Sequence, residues 1–134
     1  MANAVTIQLL EDGARNAIVK VTGTLDTSNL TNQLIVDCST LTQGGTATKP
    51  TQVRVDHLDY SIADQLELQL LWDAATPVPL LPLAGRGRMS FWNFGGLQNN
   101  AGTGKTGNIV LSTTGWASGT QIFSLILELV KQGV

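Results

Sequence analysis

Residues 123–130, FSLILELV, show the pattern that decides the fold class. Large apolar side chains occupy every second position: Phe123, Leu125, Leu127 and Leu129. Such alternation is the period of a β-strand with one buried face. A rival helix would begin at Ser118 as N-cap, with Gln121 three residues later as in a capping box. We favour the strand because four successive alternations fit a period of two better than a period of ~3.6.

The same alternation recurs along the chain and predicts about eight or nine short strands separated by turn residues. We expect strands at 5–9, 17–23, 34–36, 53–62, 66–72, 86–92, 109–111 and 123–130. The first two form a hairpin around the turn residues 11–13. Prolines remove backbone donors from 75–83, which predicts an edge strand or extended connection there. The sequence therefore predicts a single all-β domain over residues 1–134, an antiparallel β-sandwich with a jelly-roll-like arrangement.

Two of these segments contain local irregularities. In 53–62 the apolar positions change phase once, with valines at 53 and 55 followed by Leu58, Tyr60 and Ile62. A shift of one residue predicts a β-bulge at Asp56-His57, and we interpret His57 as a structural hydrogen-bonding residue. In 66–72 a helix with Asp64 as N-cap and Glu67 in a capping box is the rival, and we again favour the strand.

Three polar segments are expected to form loops. Residues 24–32 are rich in turn residues, and residues 39–50 contain Gly44-Gly45 and Pro50, which disfavour regular structure. Whether 24–33 and 39–50 order only on assembly is left open by the sequence. The third loop, 95–107, is glycine-rich and follows an aromatic cluster at 91–94, which predicts a flexible segment held by its aromatic neighbours.

The composition favours packing against other protein. Charged residues make up 13 % of the 134 residues, about half of the usual share, whereas the 43 % hydrophobic content is ordinary. A formal net charge of −2 with scattered basic residues argues against a nucleic-acid partner. The N-terminus lacks the pattern of a signal peptide, and no apolar run reaches the ~20 residues of a membrane span. We expect a cytosolic protein, or one that leaves the cell inside an assembly.

The residues that carry chemistry are few. Cys38 and His57 are each the only residue of their type, so neither a disulfide framework nor a zinc site is expected. The string GTGKT at 102–106 imitates a phosphate-binding loop, but Asn99 stands where that motif requires glycine, and a strand rather than a helix is predicted to follow. Pairs of carboxylates like those of glycosidases can be selected from the sequence of almost any β protein, so such pairs do not indicate a glycosidase here. The sequence predicts no enzyme, no cofactor and no metal.

Interface residues are the remaining candidates. If positions 87, 89 and 91 face the core, Arg86, Arg88 and Trp92 share the outward face, and Arg and Trp are enriched in interface hot spots. The alternative is that Trp92 covers the edge of the core beneath the arginine stems. The full candidate set for protein contacts is Arg86, Arg88, Trp92, Phe94, Asn99, Asn100, Lys105 and Trp116.

Several short motifs resemble those of small structural proteins of tailed bacteriophages. They are EDG at 11–13 with RN at 15–16, LLWDA at 70–74, FGGL at 94–97, NNAG at 99–102, GKTG at 104–107, TTG at 113–115, ASG at 117–119 and LEL at 127–129. The resemblance covers nearly the whole chain and is weakest over 24–51. It implies a virion component.

Together with the composition, the resemblance suggests a capsid decoration (cement) protein that binds the major capsid protein as a trimer or dimer. A head–tail connector, neck or tail component is the alternative. A third hypothesis, from another class, is a virion-borne carbohydrate-binding module that stacks sugars on Trp92 or Trp116.

Overall fold

Nine β-strands form two antiparallel sheets in the computed structural model, which describes residues 3–12, 16–38 and 52–132. The strands are β1 Ala4–Asp12, β2 Asn16–Leu25, β3 Gln33–Val36, β4 Gln52–Ile62, β5 Glu67–Trp72, β6 Val78–Ala84, β7 Arg86–Ser90, β8 Ile109–Thr114 and β9 Gln121–Gln132. A short 3₁₀ turn, Trp92–Phe94, follows β7. The predicted all-β class and β-sandwich are confirmed, and the described chain has no helix long and apolar enough to cross a membrane.

The strand order is that of a jelly roll. The five-stranded sheet runs β1-β2-β9-β4-β7, and the four-stranded sheet runs β3-β8-β5-β6. With β1 set aside, β2 pairs with β9, β3 with β8, β4 with β7 and β5 with β6. The eight strands therefore pair first with last, second with second-last and so on, as one long hairpin rolled into two sheets does. The predicted hairpin of β1 and β2 is also confirmed.

The loops gather at the two ends of the sandwich. At the first end, the backbone N–H of Ile62 donates to Gly85 O at 2.8 Å, and that of Ala63 donates to Ile122 O at 3.0 Å. These bonds join the end of β4 to the β6–β7 connection and the β4–β5 connection to the start of β9. At the second end, Ala75 N donates to Thr103 O at 3.1 Å, which joins the β5–β6 and β7–β8 connections.

The core lies between the sheets and is centred on β9. Leu125 and Leu127 are fully buried, and β9 pairs with β2 on one side and β4 on the other. A central strand that packs one face on the opposite sheet needs the alternation seen in its sequence. The strand is confirmed, and the rival helix after Ser118 is wrong. The strand over β5 is likewise confirmed against its helical rival, with Trp72 fully buried at its end.

The predicted bulge in β4 is confirmed. Val55 pairs with Leu129 and His57 pairs with Glu128, so Asp56 is the extra residue between two consecutive pairs. Because the extra residue resets the alternation, Val55 before the bulge and Leu58 after it are both buried in the core.

Several strand boundaries differ from those predicted. β2 continues to Leu25 and β8 to Thr114, because Leu25 and Thr113 are buried and their ladders extend to those ends. β7 ends at Ser90 rather than at 92, since the chain turns into the 3₁₀ turn. β6 starts only at Val78, and it is an edge strand as predicted.

One prediction of burial was also wrong, since Leu34 is exposed because β3 lies at a sheet edge. Gly87 lies on the core side of β7, where it pairs with the core-packed Tyr60, although it is itself exposed. The predicted turn at Gly13 and the loop at 39–50 lie outside the described residues.

Candidate functional site

The aromatic segment after β7 is fastened to the β4 bulge. Phe91 N donates to Asp56 O at 2.7 Å, and the main chains of Val55 and Leu97 exchange two hydrogen bonds of 3.1 and 2.8 Å. Inside the segment, Gly96 N donates to Phe91 O at 2.8 Å. We call residues 91–97 the Trp92 turn. Because both of its ends are bonded to a strand at the core, the Trp92 turn is a fixed part of the fold.

Two glycines let the Trp92 turn close. Gly95 and Gly96 have φ angles of 91° and 80°, in the left-handed region that side chains disfavour. A Cβ on Gly96 would overlap Asp56 Oδ1 and stand 3.1 Å from Val55 O. Asp56 is itself held in place by Arg54, whose Nε lies 3.0 Å from Asp56 Oδ1.

Trp92 is presented to solvent at the top of this turn. Its side chain is 62 % exposed, the highest value among the exposed large hydrophobic residues of the described chain. Its neighbour Phe91 is partly buried and packs against the core. The alternative in which Trp92 covers the edge of the core does not fit this exposure. A large exposed aromatic ring on a main chain that is fixed at both ends is typical of a residue that another molecule covers.

The two arginines of β7 have different surroundings. Arg88 pairs with Asp59 on the neighbouring strand, with an Nε–Oδ1 distance of 2.7 Å and an Nη2–Oδ2 distance of 3.4 Å. The hydrogen bond to Asp59, followed by its charge, raises the pKa of Arg88 above its usual value. Arg86 is exposed near the first end. Both arginines face solvent as predicted, on the edge strand that leads into the Trp92 turn.

The remaining candidates of the β7–β8 connection lie beyond the Trp92 turn. The side chain of Phe94 is outside the described part of the chain. Asn100 and Lys105 are exposed. Asn99 accepts a bond from Ala101 N at 2.9 Å, while its Nδ2 is buried without an acceptor among the described residues.

The GTGKT string forms a turn that packs on the β5–β6 connection. Lys105 N donates to Gly102 O at 3.1 Å, and Gly104, with φ of 79°, lies so close to Ala75 that a Cβ would be 2.7 Å from its N. Thr106 Oγ1 then donates to Asp73 Oδ2 at 2.8 Å. The strand β8 follows, as predicted, so the local structure differs from the loop-then-helix arrangement of a phosphate-binding loop.

Trp116 belongs to the first end, opposite the Trp92 turn. Its ring is partly buried against the core, and its indole N–H donates to Gly119 O at 3.0 Å. Its backbone N–H donates to Asn29 Oδ1 at 3.0 Å. Trp116 therefore closes the β8–β9 loop, and the structure separates it from the other candidates.

His57 makes the structural hydrogen bond that we expected. Its Nδ1 lies 2.9 Å from Ser90 Oγ on the facing strand, and the two residues are directly paired. Within the described ranges, no three His, Cys, Asp or Glu residues come together in a way that could hold a metal ion.

A groove on the outer face of the five-stranded sheet was missed by sequence reasoning. The register aligns one residue from each strand in a row: Thr6, Thr22, Ser124, Ser61 and Arg86. The groove around this row has a volume of about 580 Å³, and Ile122 stands exposed in its lining. Each hydroxyl residue occupies an outward position of its own strand, but only the pairing of distant strands brings them together.

The structure thus places the candidates in three regions. Arg86 lies by the hydroxyl-lined groove, Trp116 lies in the first end, and Trp92 stands at the second end beyond Arg88. Residues 102–106 pack beside the β5–β6 connection at the same second end. The Trp92 turn is the candidate for which the geometry offers the clearest binding feature.

Comparisons with known proteins found no match: no protein-family model, no curated protein and no solved structure resembles the chain at a significant level.

Proposed function

We propose that the protein is a structural component of a tailed-bacteriophage virion, a decoration protein that binds the lattice of the major capsid protein. The observation that carries the proposal is Trp92, a largely exposed indole on a turn whose ends are bonded to β4. An aromatic anchor on a main chain that is already fixed loses little backbone entropy on binding, and tryptophan is among the residues in which binding energy concentrates.

Three further features support a binding role. The surface is poor in charge, so docking on another protein requires little removal of charged groups from water. The jelly roll is a fold of viral capsid domains and also of lectins, an analogy at the level of fold alone. The sequence motifs resemble those of phage structural proteins. On this proposal the chain is a non-enzymatic homo-oligomer, located in the virion after assembly in the host cytoplasm.

The copy number in purified virions is the first test. Quantitative mass spectrometry against the major capsid protein is expected to give a ratio near one to one or a simple fraction of it. A ratio near that of the portal protein would move the chain to the neck or tail. Absence from the virion would overturn the virion assignment altogether.

The role of Trp92 is tested by capsid binding in vitro. Trp92→Ala is expected to weaken binding to capsids by ~10-fold or more, in the range of an interface hot spot. Ile122→Ala is the matched control, because Ile122 is 61 % exposed but belongs to β9 near the first end. Equal loss in both variants, or loss in neither, would contradict the role of Trp92.

The exposed indole also favours a second candidate, a carbohydrate-binding module in which Trp92 stacks on a sugar ring. The Trp116 indole N–H is already bonded to Gly119 O, so Trp92 is the better platform of the two. Glycan-array binding that Trp92→Ala abolishes, with normal incorporation into virions, would favour the carbohydrate module over the cement protein.

A further inference from the structure

The edges of the two sheets are unequally protected. An open edge strand exposes unpaired backbone groups, and proteins block such edges with prolines, with charged residues or by keeping the strand short. β6 carries Pro79 and Pro82, β7 carries Arg86 and Arg88, and β3 has four residues. The fourth edge strand, β1, has none of these protections over residues 4–9.

β1 is long, neutral and apolar at its edge. It has nine residues, AVTIQLLED, with no proline, lysine or arginine and with acidic residues only at its end. Ile7, Leu9 and Leu10 are 46 %, 42 % and 46 % exposed, and they make up half of the six exposed large hydrophobics of the described chain. A bulge between Leu9 and Glu11 ends the regular ladder. The unprotected edge is therefore residues 4–9.

The exposed side chains of Ile7 and Leu9 lie on the face of the five-stranded sheet that packs against the opposite sheet. Ile7 pairs with Val21 and Leu9 with Val19, and both valines are buried. The five-stranded sheet has one strand more than the sheet it packs on, and β6 and β7 are joined at the opposite side by Gly85 alone. β1 thus lies at the margin of the opposite sheet: Val5 still packs against the core, but Ile7 and Leu9 remain largely uncovered.

We propose that two copies of this chain pair antiparallel through their β1 edges about a two-fold axis, joining two five-stranded sheets into one of ten strands. Each copy would then supply backbone partners for the other and bring its own Ile7 and Leu9 beside those of its partner. The dimer requires no capsid, so the inference goes beyond the proposed function.

A second copy of this chain fits the β1 edge better than a charged partner would. Residues 4–10 carry no charge, and a neutral apolar strand is complementary to itself. Antiparallel pairing keeps the Glu11 carboxylates of the two copies at opposite ends, whereas parallel pairing would align them. Because the other three edges are protected, β1 pairing uses one patch on each copy and closes as a dimer rather than growing into a fibre.

The oligomeric state of the purified protein tests the proposal. Light scattering coupled to gel filtration, over a wide concentration range, is expected to show a dimer. Ile7→Lys combined with Leu9→Lys places charges on the inward side of the edge and is expected to weaken the dimer by ~100-fold or more. Ile122→Lys, at a residue that is also exposed on this sheet but lies two strands away from the edge, is expected to leave the dimer intact.

Folding is checked separately, by circular dichroism and urea unfolding of each variant. If the lysine variant does not fold, Ile7→Thr with Leu9→Thr keeps β-propensity and is expected to weaken the dimer in the same direction. A wild-type protein that is monomeric at all concentrations would overturn the proposal, as would a dimer that the folded variants leave unchanged.

Single cysteines test the direction of pairing. In an antiparallel β1 pair, a residue meets its own copy only next to the two-fold axis, so one position among 5–9 is expected to form a disulfide-linked dimer. The native Cys38 is buried and does not compete. Cross-linking at every position would mean parallel pairing, and cross-linking at none would mean another interface; both results overturn the proposal. Capsid binding is measured separately, so failure of the dimer and failure of the virion role are distinguishable.

Discussion

Val55 and Leu97 are joined by two main-chain hydrogen bonds, although they are 42 positions apart in the sequence. The pair lies directly before the bulge at Asp56, and it holds the glycine-rich segment against β4. An aromatic cluster and a loop that read as flexible in sequence are in this way made part of the sandwich. The exposure of Trp92 is a consequence of this attachment.

Gly96→Ala is expected to destabilise the protein more than Gly95→Ala. Both residues have positive φ, which costs a side chain about 1–2 kcal/mol. Only at Gly96 would the added Cβ also meet Asp56, since the space at Gly95 is open. Urea unfolding of the two variants measures the difference, and equal losses would show that the contact with Asp56 is easily relieved.

Thr113→Val is expected to lower the free energy of unfolding by about 1–3 kcal/mol, the cost of unmaking buried hydrogen bonds. The Thr113 hydroxyl accepts a bond from Leu30 N at 2.8 Å and donates to Asn29 Oδ1 at 3.1 Å, and the residue is buried. Thr114→Val, at the exposed next position, is the control and is expected to be nearly neutral. The hydroxyl has no such role if both variants unfold at the same urea concentration.

Alanine substitutions along β9 are expected to alternate in cost. Leu125→Ala and Leu127→Ala remove fully buried side chains and are expected to cost about 2–5 kcal/mol each. Ile126→Ala, on the half-buried outer face, is expected to cost less. Chemical unfolding of the three variants gives the comparison, and a cost at Ile126 equal to that of its neighbours would contradict a one-sided core.

Cys38 is expected to resist thiol reagents in the folded protein. Burial, and secondarily the charge of Asp37, raises its pKa from the usual 9.0 to about 11, and its Sγ lies 3.0 Å from Gly107 O. Iodoacetamide at mildly alkaline pH is expected to label the thiol in urea but only slowly in buffer. Rapid labelling of the folded protein would show that the region around Cys38 opens readily.

The same raised pKa predicts a pH dependence of stability. The thiol loses its proton in the unfolded chain near pH 9.0 and in the folded chain near pH 11, so the unfolded state binds fewer protons in between. The free energy of unfolding is therefore expected to fall as pH rises through this window. Cys38→Ala removes this contribution, and identical pH profiles of the two proteins would refute it.

Local patterns were sufficient to predict most strands. The bulge in β4 was recognisable because one extra residue reverses the phase of an alternating pattern, and the edge position of β6 followed from its prolines. Boundaries were less exact, since Leu25 and Thr113 stay in their strands through pairing and burial that no local pattern reports.

The candidate site was predicted only in part. The outward direction of Arg86 and Arg88 followed from alternation, but the opposite locations of Trp92 and Trp116 did not. Their separation depends on which loops share an end of the sandwich, and the strand order decides that. The hydroxyl row on the outer face depends on register between strands far apart in sequence.

By itself, the sequence determined that this chain forms strands and which face of most strands is apolar, because side chains alternate with a period of two whatever lies beside them. Only the tertiary structure decided which strands are neighbours, and with that which apolar side chains find cover. Ile7 and Val21 read alike in the sequence, yet Val21 is buried and Ile7 is exposed. The physical reason is that burial depends on the opposite sheet, which covers β2 but leaves Ile7 and Leu9 of β1 largely uncovered.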